Sequence, residues 1–373
     1  MSRVYLDHAS TAPLRPEARD VMVEWLERPV IGDPSRLHAD AMASRVAVET
    51  AREQVASLVG ARPREVVFCS GATEAIAMAC HGAASARAGA SVLSAVEHSA
   101  VRECAARGRS VEVAVDSTGR VSAAEIAGVV TPETSVVHLQ WGNHEVATLQ
   151  PVAAVMAWCR ELGVLGHVDA AQAVGHVPVD FAACGADLMS VSSHKFGGPL
   201  GIGALLVRRG LRLDPLLVGG DQERARRAGI ENVPAIVGFG AAAAAVEAQL
   251  AAEYASSVRL TRRVMDWAAA RGDITVLGDR DDAGRLPHIV CLGLEGVEPQ
   301  PVLLGLDAAG ISVHSGSSCS SEALEPSPVL AAMGVDAQRS LRISVGWSTT
   351  DGDVDALLVA LPRVLDGLHA LRR

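Results

Sequence analysis

Short runs of β-branched and aliphatic residues alternate with alanine-rich stretches of helical length through the first two thirds of the chain. No other feature restricts the fold as strongly. Residues 65–68, 91–95, 136–140, 164–168, 188–191 and 204–207 read as strands, and 73–84, 99–106 and 151–162 as helices. Pro151 falls near the first turn of its helix, where proline is tolerated because the N–H it lacks has no intrahelical partner. Strands alternating with helices imply a mostly parallel sheet with helices on both faces, an α/β architecture. Past residue 250 the pattern changes to a long helix over 251–271, strands near 288–292 and 341–345, and a closing helix from Asp353. This is a smaller α+β unit. The chain of 373 residues is too long for one simple core. No repeat, low-complexity tract or flexible linker separates the two units, so they are expected to pack closely.

Hydrophobic residues make up 49 % and charged residues 20 %, the balance of a globular, well-buried protein. A net charge of −10 argues against a dedicated nucleic-acid binder. The start, Met1 to His8, has no basic head followed by an apolar stretch and does not read as a signal peptide. The most apolar stretch, 233–250, contains Pro234, Glu247 and Gln249 and reads as a buried helix rather than a membrane span. Seven cysteines without a Cys-x-x-Cys pair suggest a reducing cytoplasm, with neither a disulfide framework nor a zinc site.

Among 33 cationic side chains only Lys195 is a lysine, in Ser192-Ser193-His194-Lys195-Phe196-Gly197-Gly198-Pro199. Arginine serves wherever a positive charge suffices, but it cannot lose its proton near neutral pH and so cannot be an amine nucleophile. The commonest reason to keep that amine is a Schiff base with a carbonyl, often pyridoxal phosphate.

In such sheets ligands bind beyond the carboxyl ends of the strands, and the polar residues cluster there. Ser70-Gly71-Ala72-Thr73-Glu74 links a strand to a helix, where small residues let backbone N–H groups meet a phosphate. The same pattern serves as an ordinary helix cap. Asp169 ends a strand, and a carboxylate there suits a pyridine nitrogen. Gln172 follows three residues on. His98 follows the strand 91–95, placed to stack on a ring or move protons. In the second unit, Cys319 stands in Ser315-Gly316-Ser317-Ser318-Cys319-Ser320-Ser321, a loop of small polar residues, unlike Cys80, Cys104, Cys159 and Cys184 in apolar or helical surroundings. An exposed thiol is a liability unless it is used.

Taken in order, these segments resemble a pyridoxal-phosphate cysteine desulfurase of the NifS/IscS type, in the class V aminotransferase family. The resemblance also rests on Tyr5-Leu6-Asp7-His8-Ala9-Ser10-Thr11, Glu97-His98, Asp169-Ala170-Ala171-Gln172, Gly219-Gly220-Asp221-Gln222-Glu223-Arg224, Leu324-Glu325-Pro326-Ser327 and Leu341-Arg342-Ile343-Ser344. It implies a PLP-dependent transferase fold, aspartate aminotransferase-like, with residues 15–250 as the large cofactor-binding domain. Residues 1–14 and 251–373 form the small domain carrying the cysteine loop. It implies that Lys195 holds the cofactor, that Ala72, Thr73, Ser192 and His194 hold its phosphate, and that Asp169 pairs with the pyridine nitrogen. Gln172 meets the ring hydroxyl side, and His98 stacks and shuttles protons. Asn143 and Arg342 meet the substrate, L-cysteine, and Cys319 takes its sulfur as a persulfide. A homodimer is implied, with the Arg224–Arg227 run near the neighbouring subunit's site, and so is a sulfur-acceptor protein serving iron–sulfur assembly, tRNA thiolation or DNA phosphorothioation. No metal, membrane or direct nucleic-acid binding is expected. A selenocysteine lyase, an aminotransferase on the same fold, and a non-catalytic scaffold that recruits a sulfur acceptor remain open alternatives.

Two positions depart from the family pattern. Asn143-His144-Glu145-Val146-Ala147 stands where the family has Asn-Asn-Glu-Thr-Gly, so His144 replaces a cofactor- or substrate-contacting asparagine and is expected to make activity more pH-sensitive. Ile230 replaces a threonine that reaches the partner's phosphate, and weaker cofactor binding is expected.

Overall fold

The computed structural model describes residues 3–315 and 326–371. Twelve strands lie among the described residues: β1 (Val4–Tyr5), β2 (Val66–Cys69), β3 (Ala90–Ser94), β4 (Ser110–Val113), β5 (Thr134–Gln140), β6 (Leu165–Asp169), β7 (Leu188–Ser192), β8 (Gly203–Val207), β9 (Ile274–Leu277), β10 (Ile289–Leu294), β11 (Ile311–Ser312) and β12 (Ser340–Ser344). Seven form one sheet in the order β2-β8-β7-β6-β5-β3-β4. The strands β3 to β7 run parallel, and β8 runs against both of its neighbours. Every residue of β2, β5, β7 and β8 is buried. Strands covered on both faces of a sheet are buried along their whole length, and crossover helices supply that cover. The α/β expectation, with a mostly parallel sheet, therefore holds.

A three-stranded antiparallel sheet, β12-β10-β9, and the parallel pair β1-β11 belong to the C-terminal part. Their core is separate. Leu6, Val290, Leu292, Leu341 and Ile343 pack with Leu357, Leu361 and Leu365 of the closing helix Asp351–Ala370. The larger core gathers the central strands with the helices that cover them.

One helix serves both cores. The two helices expected over 233–250 and 251–271 are a single 37-residue helix, Val233–Ala269. Its first half (Ile236, Phe239, Ala243, Val246) packs into the larger core, and its last turns (Leu260, Val264, Met265, Ala268) pack into the smaller. The change in composition near Leu250 marks a change of neighbour, not a break. No proline or glycine interrupts the helix there, so nothing stops the hydrogen-bond ladder. It is long and apolar enough to cross a membrane by length and composition. Its apolar stretch instead lies against the helices Pro16–Leu26 and Ala39–Leu58.

The N-terminal segment bridges the two parts. Val4 pairs with Ile311 and Asp7 bridges to Ser344. Ala12 N–H then donates to His194 O (2.9 Å) and Arg15 N–H to Gly197 O (2.8 Å), on the turn that carries the lysine.

Candidate active site

A cavity of about 390 Å³ opens at the carboxyl ends of β5, β6 and β7. In-register pairing puts Gln140, Asp169 and Ser190 side by side, and pairs Ser192 with Gly203. Alternation along the strands gives residues two apart the same face. His138 and Gln140, His167 and Asp169, and Ser190 and Ser192 therefore share a face, and on β7 the two rows sit one pair further along, because Ser190 pairs with Asp169 but its side chain meets His167. The upper row (Gln140, Asp169, Ser192) lines the cavity. The lower row is a buried polar chain: His138 Nδ1 lies 2.9 Å from His167 Nδ1, and His167 Nε2 lies 2.8 Å from Ser190 Oγ.

Of the sequence-derived site residues, Ala72, Thr73, His98, His144, Asp169, Gln172, Ser192, His194, Lys195 and Arg342 all line this cavity. Cys319 lies outside the described residues. Asn143, expected at the substrate, is not among the lining residues and is fully buried. Its carbonyl oxygen accepts the N–H groups of Glu145 and Val146 (both 2.8 Å), and its amide nitrogen donates to Val96 O (3.2 Å). The amide oxygen shapes the turn and the buried side chain lies outside the cavity lining, so the structure does not bring Asn143 to the expected substrate position.

The anion end of the cavity is built from backbone. Gly71 precedes the helix Ala72–Ala86 at φ +154° and no side chain caps that N-terminus. Uncapped amides at the positive end of a 15-residue helix suit a phosphate. Gly203 keeps the approach open. A Cβ there would stand 2.6 Å from Val191 O and 2.7 Å from Gly71 Cα. The buried Nδ1 of His194 and the Oγ of the adjacent Ser193 have no hydrogen-bond partner.

Lys195 ends the short turn Ser193–Lys195 after β7. Its Nζ donates to Ala9 O (2.7 Å) and Ser10 O (3.0 Å). Asp169 is buried, and its Oδ1 accepts the Ala171 N–H at 3.0 Å. Burial raises its pKa, while His98 and Lys195 pull it back down. Glu97, beneath His98, accepts from Ser94 Oγ (2.8 Å) and the Gln140 N–H (3.0 Å). Burial, with a smaller push from Asp169, raises it to about 8.

His98 accepts the Ala100 N–H at Nδ1 (3.1 Å) and so caps the helix Ser99–Ala105. In the neutral ring the proton therefore sits on Nε2. His144 meets it edge to face, centroids 5.1 Å apart at 71°. Burial, then the charges of His98, Arg342 and Lys195, hold His144 well below the ordinary histidine range. It stays neutral through physiological pH. A neutral ring there argues against the expectation that its titration makes activity pH-sensitive near neutrality. Arg342, on β12, donates from Nη1 to His144 O (2.9 Å) and from Nη2 to Ser10 Oγ (2.9 Å) and Asp7 Oδ1 (3.2 Å).

Ile230 is exposed and lines a neighbouring cavity of about 200 Å³ with Ser70, Gly201 and Arg227. The Arg224–Arg227 run is not a free basic patch. Arg224 pairs with Glu49 (3.2 Å), Arg227 with Glu74 (2.9 Å), and Arg226 donates to Arg64 O (3.2 Å). Sequence reasoning gave no role to Gln140, Ile76 or Leu200, which also line the main cavity.

The aminotransferase class-V family model matches residues 4–357. A cysteine desulfurase of Cereibacter sphaeroides is 40 % identical over 100 % of this chain and 98 % of its own length. An IscS-like cysteine desulfurase of Mycobacterium tuberculosis is 39 % identical over 96 % of this chain and 95 % of its own. Among solved structures, a NifS-like protein superposes with a TM-score of 0.91 at 30 % identity, covering 98 % of this chain and 100 % of the other. The structure titled SspA in complex with cysteine gives 0.79 at 27 % identity, covering 91 % and 98 %.

Proposed function

The chain belongs to the aminotransferase class-V family, and from that membership we propose that it is a cysteine desulfurase using pyridoxal phosphate. L-Cysteine gives up its sulfur to the Cys319 thiol, leaving L-alanine and an enzyme persulfide. One observation carries the reading: the only lysine of the chain shares a cavity wall with Asp169, His98 and Arg342.

Pyridoxal phosphate, when bound, supplies an electron sink for bonds at the substrate's carbon skeleton. The residues present fit it. The uncapped amides at Ala72 and Thr73, with Ser192 and His194, hold the phosphate. Asp169 holds the proton of the pyridine nitrogen. Gln172 and His144 would meet the ring hydroxyl side, and His98 would stack on the ring. Lys195 supplies the amine that attaches the cofactor. Arg342 binds the substrate carboxylate, oriented by His144 O, Asp7 and Ser10. As the Cys319 thiolate forms an S–S bond, the substrate C–S bond breaks and its carbon takes a proton to become the alanine methyl.

We further infer a homodimer in the cytoplasm, with the persulfide passing to an acceptor protein rather than to nucleic acid. The net charge of −10 and the paired state of the Arg224–Arg227 run support this. The two cores support a division into a large domain (15–250) and a small one (1–14 with 251–373), although the helix Val233–Ala269 is shared by both and Ala9, Leu286 and Ile289 pack into the larger core.

Borohydride reduction of the wild-type protein should fix pyridoxyl mass on the peptide containing Lys195, and L-cysteine should yield alanine and persulfide one to one. A yellow, fully active Lys195→Ala protein sinks the reading.

A further inference from the structure

Behind Lys195 and Gln172 lies a layer of buried histidines that the chemistry above does not use. His176 and His288 are stacked, ring centroids 3.5 Å apart at 14°. His176 follows Gln172 by one turn of chain. His288 immediately precedes β10, and its carbonyl accepts the Val345 N–H at 2.9 Å. The stack therefore joins the C-terminal sheet to the wall of the site.

The hydrogen bonds around the pair fix their own polarity. A carbonyl oxygen can only accept. Ala9 O receives Lys195 Nζ and the Gln172 side chain, each at 2.7 Å, so the Gln172 atom facing it is the amide nitrogen. The amide oxygen of Gln172 is left for His288 Nε2, at 3.3 Å. That ring nitrogen must carry the hydrogen. His288 Nδ1 is then the bare nitrogen, and it is buried without a partner. The same rule applies to His176, whose Nε2 lies 3.1 Å from Lys195 O and must also be an N–H. Burial keeps His176 at about 3 and His288 well below the ordinary range, so neither ring gains a second hydrogen at neutral pH.

The consequence falls on Gln172. Its nitrogen has two hydrogens and spends one on Ala9 O. The other is what this amide has left for the cavity it lines. A flipped amide would offer an acceptor instead. We propose that His288, with His176 stacked on it, is a positioning residue that holds Gln172 with an N–H, not a carbonyl, toward the cavity. This rests on reading the cavity as a pyridoxal-phosphate site. There, a donor favours the deprotonated form of the ring hydroxyl.

The test is a pH titration of the holoenzyme's visible band in wild type, His288→Phe, His288→Gln and Gln172→Ala. Phenylalanine keeps the stack and removes the donor; glutamine keeps a donor. The ionisation midpoint should rise by about half to one pH unit in His288→Phe, the scale of one net hydrogen bond. Gln172→Ala should move it in the same direction, and His288→Gln should recover at least half the shift. An unmoved midpoint in His288→Phe beside a shifted one in Gln172→Ala overturns the proposal. If His288→Phe does not fold, nitrogen-15 spectra of the wild-type histidine rings decide: a neutral His288 protonated on Nε2 supports the proposal, and protonation on Nδ1 overturns it. A wild type without a visible band after loading with the cofactor fails the cofactor reading, and this proposal with it, before any variant is made.

Discussion

Lowering the pH from 7 toward 5 should unfold this protein from its interior. Six histidines are buried: His8, His138, His144, His167, His176 and His288. Burial lowers all six, to about 4 for His8 and His138, to about 3 for His176, and well below the ordinary value for the other three. In the unfolded chain each takes a proton near pH 6.5, whereas the folded protein refuses it. The unfolded state thus binds more protons below pH 6.5. The stability tied to these rings is complete above that value and is lost as the pH falls toward the folded pKa values. Each proton is worth about 1.4 kcal/mol per pH unit. Glu97, raised to about 8, works the other way, because the folded protein keeps a proton that the unfolded chain has released, and the upward shift of Asp169 acts in the same direction. The lowered rings outnumber the raised acids, so the unfolded chain takes up several net protons, on the order of 5 kcal/mol per pH unit. Against a typical net stability of about 5–15 kcal/mol, that places the acid midpoint near pH 5, above the range of ordinary carboxylates. Urea unfolding followed by circular dichroism at pH 7, 6 and 5.5 gives the slope directly, and His138→Gln should reduce it by about one proton's worth. A urea midpoint unchanged between pH 7 and 5.5 would refute the assignment of these rings as buried and neutral.

Three further outcomes are expected. Cys319→Ser should keep the visible cofactor band and release no alanine in a single turnover with L-cysteine; near-normal alanine would remove Cys319 from the reaction. His144→Asn should leave the limbs of the kcat–pH profile between pH 6 and 8 in place, since the imidazole is neutral throughout that range, and a displaced limb would show that it titrates there. Gly203→Ala forces a Cβ against two backbone atoms, Val191 O and Gly71 Cα. It should cost about 1–3 kcal/mol in urea unfolding and loosen phosphate retention on dialysis; a variant as stable as wild type would mean that the strand and the Gly71 turn can separate.

The parts of the fold that could be read from sequence were those buried on both faces. The strands β2 and β8 are continuous apolar runs because each is covered on both sides, β7 is apolar but for Ser190 and Ser192, and all three lie within a residue or two of where the sequence puts them. The edge strand β4 gave no signal, since three of its four residues are exposed and it lacks an apolar run. Nor does a buried run encode direction. Nothing in Gly203–Val207 distinguishes the strand that runs against its neighbours, because apolar periodicity is the same either way. The single long helix was divided at Leu250 for a related reason. Its residues report what packs against them, and there the helix leaves one core for the other.

The site divides along the same line. Residues that face the cavity from strand ends and the turns after them, such as Asp169, Ser192 and Lys195, sit where the topology of a parallel sheet requires a ligand site to be. Their chemistry and their placement agree, since all three line one cavity. Asn143 had the right chemistry in the right segment, yet its amide oxygen shapes its own turn, and only the backbone path reveals that. The His176–His288 stack was beyond reach for the opposite reason. Each residue alone is an unremarkable histidine, and they meet only because the N-terminal segment and the C-terminal sheet close over the lysine turn. In this protein most groups that line the cavity come from strand ends and the turns after them, and Arg342 comes from β12 of the second core. The groups that orient them come from wherever the second core touches the first.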